Sequence, residues 1–136
     1  MLFKVSVCHH AHQEQMESSD LGVRPPADVL KCFDEFDWTH EISEAIELGR
    51  SATLSVEDAT SPRLIWVGGY GDPKFPTFVS ECSFPGMKKR LFGFLGEGMG
   101  VVELHTQEFD LRQARRAIEL FVSNDDAGLR ELYESP

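Results

Sequence analysis

Three of the chain's five histidines and one of its three cysteines stand together in V-C-H-H-A-H, from Val7 to His12. In an extended chain Cys8, His10 and His12 share one side and His9 faces the other, a donor set of the kind zinc accepts. A structural zinc closes a tetrahedron, and its second ligand pair normally comes from a defined spacing elsewhere. Cys32, Cys82, His40 and His105 are scattered without such a spacing. The expectation is a strand end running into a polar loop, with no metal and no cofactor, and zinc as the alternative.

Glu103 and His105 are two residues apart in V-V-E-L-H-T, so a strand would put a carboxylate and an imidazole on one face, opposite Val102 and Leu104. Such a pair can act as orienting acid and general base when a nucleophile or water lies nearby. No G-x-S-x-G, H-E-x-x-H or D-x-D motif accompanies it, and the alternative is the polar face of a half-exposed strand. The glycine-rich run from Gly93 to Gly100 leads into a strand and has Glu97 at its middle, so it fits a hairpin connection rather than a phosphate loop. Lys88, Lys89 and Arg90, with Arg112, Arg115 and Arg116, are the only local concentrations of positive charge.

These residues must be positioned by elements that hydrophobic periodicity reveals. Phe3, Val5 and Val7 alternate within 2–8, a first strand, and the polar segment from Ala11 to Arg24 reads as a loop ended by Pro25-Pro26. Val29, Leu30, Phe33 and Phe36 mark a short helix. Trp38, Ile42, Ala45 and Ile46 mark a second, with Thr39 as its cap and Gly49 after its last turn. Residues 52–57, 63–70 and 76–84 are β-rich and separated by S-P and G-D-P turns, and P-G follows the third, which predicts neighbouring antiparallel strands.

The run from Met87 to Gly96 reads as a loop with at most one strand or turn. A further strand is expected over 101–106. Asp110 and Gln113 then form a capping-box pattern ahead of a stripe of Leu111, Ala114, Ala117, Ile118 and Phe121, and a last turn or two follows Asp126. The expected fold is α+β, a single domain over 1–136 with an antiparallel meander and helices on one face.

A net charge of -10 repels nucleic-acid phosphates and anionic membranes and suits a basic protein partner. The acidity is concentrated in residues 1–60, with twelve Asp/Glu against four Lys/Arg. Three widely spaced cysteines argue for reduced thiols. The opening M-L-F-K-V-S-V has neither the apolar length nor the cleavage site of a leader, and no window reaches the roughly 18 apolar residues of a membrane helix. A cytoplasmic protein is expected.

The succession W-T-H-E-I-S-E-A-I-E-L-G, P-R-L-I-W-V-G-G, G-V-V-E-L-H-T and F-D-L-R-Q-A-R-R-A-I-E-L-F resembles the small Imm-type immunity proteins of bacterial polymorphic toxin systems, over residues 38–123. It is especially similar to the family often found beside deaminase-type toxins. The resemblance implies a non-enzymatic antitoxin that neutralises a cognate toxin domain delivered by type VI or contact-dependent secretion. It carries no binding residues, because such interfaces differ with each toxin.

The residues themselves nominate Asp34, Glu35, Asp37, Glu41, Glu44 and Glu47 as an acidic rim around exposed Trp66, Tyr70 and Phe75. An adaptor that holds an effector, or a small metal-dependent enzyme using Glu103 and His105, are the competing expectations. Nothing in the sequence sets the oligomeric state.

Overall fold

The computed structural model describes residues 1–8, 19–48, 52–89 and 97–134. The chain runs β1 (Phe3–Cys8), β2 (Ser19–Arg24), α1 (Pro26–Glu35), α2 (Trp38–Leu48), β3 (Ala52–Asp58), β4 (Leu64–Asp72), β5 (Phe75–Lys89), β6 (Glu97–Phe109), α3 (Leu111–Val122) and α4 (Asp126–Glu134). The strands form one antiparallel sheet in the order β2-β1-β3-β4-β5-β6, and the architecture is α+β.

Period-two alternation decides which face is covered. Phe3, Val5, Val7, Leu54, Val56, Ile65, Val67, Phe78, Cys82 and Phe84 are buried on one side, against Val29 and Phe33 of α1, Trp38 and Ile42 of α2, Ala117, Ile118 and Phe121 of α3, and Leu129 of α4. The helices thus share one face. Gly69 lets α2 approach: a Cβ there would stand 2.7 Å from Ile42 Cδ1 and 3.2 Å from Trp38 Cε3.

The helix ends follow local chemistry. Asp110 Oδ1 accepts from the Gln113 backbone N–H at 2.8 Å while Gln113 Oε1 accepts from the Asp110 N–H at 2.9 Å, completing the expected capping box. α3 ends in a Schellman arrangement, with Asn124 at φ 57. Its N–H bonds the Phe121 carbonyl, and the N–H of Asp125 bonds that of Leu120. For α2 the cap is Asp37 rather than Thr39: its Oδ1 accepts from the His40 N–H at 3.1 Å and its carbonyl takes the first helical bond, from Glu41. Gly49 lies outside the described residues.

Three further expectations change. The segment before Pro25 is not all loop, because Ser19–Arg24 pairs with β1 as an edge strand. Its register slips opposite Val5 and Ser6, where Gly22 sits at φ 85 with its N–H held by Asp20 Oδ1 at 2.7 Å. A polar, glycine-bearing strand shows little periodicity of its own, and its conformation comes from the ladder to β1. The strands around Met87–Gly96 are longer than expected, β5 reaching Lys89 and β6 starting at Glu97. Finally, Leu111 is 43% exposed, since as first residue of α3 it precedes the turn that meets the core.

Candidate interaction surface

The opposite face of the sheet carries no described helix. Successive strand pairings line up side chains across it in rows: Ser55, Trp66, Glu81 and His105 form one, and Glu57, Leu64, Ser83 and Glu103 the next. Trp66 Nε1 donates to Glu81 Oε2 at 3.1 Å, and the other oxygen of that carboxylate, Oε1, lies 3.4 Å from His105 Nδ1. One carboxylate therefore links three strands. His105 and Glu81 are each about half exposed, at 49% and 54%, so solvent competes with this contact. Leu64, Trp66, Glu81, Ser83, Glu103 and His105 surround a recess of about 510 Å³.

Further along the same face, Tyr70 donates its hydroxyl to the Gln107 carbonyl at 2.6 Å while remaining 44% exposed. Gly68 lies between the two aromatics, packed so that an added Cβ would meet Thr53 Cγ2 at 3.0 Å and Val79 Cγ1 at 3.3 Å. Leu64 and Val101 are exposed on this face as well. The surface is aromatic and aliphatic at its centre with carboxylates at Glu57, Glu81 and Glu103.

The acidic residues of the helices do not surround it. Asp34 grips Arg115 with both oxygens, Nε donating at 2.8 Å and Nη2 at 3.0 Å, which ties α1 to α3. This hydrogen bond pushes the Arg115 pKa up. Glu35 faces Lys31 one turn back at 3.9 Å, and Asp37 is occupied as a cap. Glu41, expected in the solvated rim, is buried at 7% exposure, while Glu44 is exposed. The side chain of Glu47 lies outside the described residues. The expected single patch of these carboxylates with Trp66 and Tyr70 is therefore corrected: α1 and α2 cover one face of the sheet, and Trp66 and Tyr70 point from the other.

Phe75 is 79% exposed at the β4–β5 hairpin, where the turn closes through Asp72 Oδ1 accepting from the Lys74 N–H at 2.9 Å. It borders a shallow recess of about 390 Å³ shared with Leu111 and Arg112.

Glu103 and His105 do share the open face, but His105 meets Glu81, while Glu103 stands opposite Ser83 in the register. Glu81 was the residue that sequence reasoning missed. A signal existed, since the G-D-P-K turn at 71–74 sets the register that places Glu81 across from Trp66. Of the histidine-rich stretch, Cys8 ends β1 opposite Thr53, and His9, His10 and His12 lie outside the described residues. Among the described residues no cluster of three or more His, Cys, Asp or Glu is arranged to hold a metal. No disulfide joins Cys8, Cys32 and Cys82. No described helix is long and apolar enough to cross a membrane. Comparison with protein-family models, curated proteins and solved structures finds no match for this chain.

Proposed function

We propose that this chain is a cytoplasmic immunity protein that binds a basic toxin domain through the open face of its sheet and blocks that domain's active site. The observation carrying the proposal is the face that no described helix covers, centred on Trp66 and Tyr70 and bordered by Glu57, Glu81 and Glu103, on a chain of net charge -10. Aromatic anchors supply most of the energy of a protein interface when surrounded by groups that exclude water. An acidic border steers a basic partner and competes with the anionic substrate of a nucleic-acid-acting toxin. A toxin of that kind is also the partner implied by the resemblance of the helix and strand motifs. The Glu81–His105 contact lends less support to hydrolysis, because both side chains are about half exposed on the open sheet face rather than enclosed in a cleft that excludes water.

The test is growth of bacteria producing the product of the neighbouring gene, with and without this chain; that product alone is expected to be toxic. Wild type is expected to restore growth. Trp66→Ala and the pair Glu81→Lys, Glu103→Lys are expected to lose protection while keeping the wild-type circular dichroism spectrum. Toxicity undiminished by wild type, with both proteins soluble, would reject the proposal.

A further inference from the structure

The two edges of the sheet are built differently. β2 is six residues long, slips register, and includes Gly22 at positive φ and Arg24, all features that discourage another strand from pairing with it. β6, at the other edge, is 13 residues long and contains no Lys, Arg or Pro. Its ladder to β5 is regular from Lys89↔Glu97 to Ser80↔Thr106. Among the described residues, no backbone group of residues 97–106 hydrogen-bonds outside that ladder. An unpaired row of N–H and C=O groups on a long strand is a template for another chain.

What the edge would accept follows from its charge. Val101, Glu103 and His105 alternate onto the open face, with Glu81 directly behind His105. Two copies of β6 pairing antiparallel about their centres would set Glu103 against Glu103, and like charges directly opposite are unfavourable. A strand bearing Lys or Arg at alternate positions meets the reverse field.

We propose that an extended, basic segment of the partner adds to β6 as a further strand of the sheet, its Lys or Arg side chains lying over Glu103 and reaching the Trp66–Glu81 recess. Main-chain hydrogen bonds would provide affinity, and the alternating side chains would provide selection. An Arg over the Trp66 ring would add a cation–π contact. This mode rests on the reading of the chain as a binder of a basic protein and specifies how contact is made.

The experiment uses the full chain and three labelled decapeptides followed by fluorescence anisotropy. The first alternates Lys and Val, the second is the same peptide N-methylated at alternate residues so that one backbone edge cannot donate, and the third replaces Lys by Glu. Binding of the first alone is expected, weakened about tenfold by the Glu81→Lys, Glu103→Lys pair. Amide hydrogen exchange of β6 is expected to slow on binding. Equal binding of the N-methylated peptide would overturn strand addition in favour of charge attraction alone. Absence of peptide binding, or sedimentation as a dimer with β6 protected, would also overturn it. If strand addition fails in these ways while growth protection still depends on Trp66, the immunity reading stands without it.

Discussion

Arg63, just ahead of β4, is a buried cation whose environment allows a directional prediction. It is 7% exposed, and its guanidinium lies 5.4 Å from the centre of the Phe84 ring and 5.2 Å from that of Phe121. Nη1 stands 2.8 Å from Asp126 Oδ1 at the start of α4, a charge contact without hydrogen-bond alignment, and Nε and Nη2 have no hydrogen-bond partner among the described residues.

Asp126→Ala removes the counter-charge and leaves the guanidinium buried. Breaking a buried pair costs about 3–5 kcal/mol, and the 37% exposure of the Asp126 side chain places this one at the lower end, about 3 kcal/mol. Arg63→Met gives up the ion pair, about 1 kcal/mol, and two ring contacts worth up to about 2 kcal/mol each for a desolvated cation. It also removes two buried donors lacking partners, each costing about 1–3 kcal/mol. The terms nearly cancel, so Arg63→Met is expected within about 1 kcal/mol of wild type.

Thermal and urea unfolding followed by tryptophan fluorescence measure both, and Asp126→Ala is expected to lower Tm by about 10 °C. With Arg63 already replaced by Met, removing Asp126 should cost about 1 kcal/mol or less, since only its helix N-terminal charge is then lost. If Arg63→Met proved as damaging as Asp126→Ala, the guanidinium would be a net stabilising group and the reasoning would fail.

Burial pushes the Cys82 thiol from 9.0 up to about 12, with Arg63 partly opposing and Asp126 adding to the rise, and burial likewise raises the Tyr133 hydroxyl against its 2.6 Å hydrogen bond with Ser80. Between pH 9 and 12 the unfolded chain releases the Cys82 proton and the folded chain keeps it. Stability therefore falls with rising pH by about 1.4 kcal/mol per unit from this group. Cys82→Ala should lessen that alkaline slope in unfolding experiments by about one proton, and an unchanged slope would show that the thiol ionises in the folded state. Gly69→Ala drives a methyl group into Ile42 and Trp38 and should cost about 1 kcal/mol, whereas no loss in urea unfolding would mean that α2 yields freely. Asp110→Ala removes the α3 cap and is expected to cost about 1 kcal/mol by the same measurement.

The elements that were legible beforehand are those whose signals are local. The α3 capping box needs only Asp110 and Gln113 three residues apart, and the burial of Phe3, Val5 and Val7 needs only alternation. Either Asp37 or Thr39 satisfies the composition rule for the α2 cap, and a two-residue change of start decides between them. Glu41 illustrates a different limit. Spacing put it on a polar face, yet the helix is packed closely enough to bury it. β2 was missed because its backbone is organised by a neighbour rather than by its own side chains.

The candidate surface divides in the same way. Composition, charge and periodicity determined an acidic chain of α+β pattern with aromatic residues outside its core stripes, and the charge is what motivates the proposal of a basic partner. Only the tertiary structure decided which carboxylates accompany those aromatics. Asp34 was drawn into a clamp on Arg115 and Asp37 into a helix cap, while Glu81, which the β4–β5 turn sets across from Trp66, was brought beside His105 by the register of β5 with β6. The physical reason is that periodicity records which side of an element is apolar, whereas register and layer order are fixed by contacts between segments far apart in the chain.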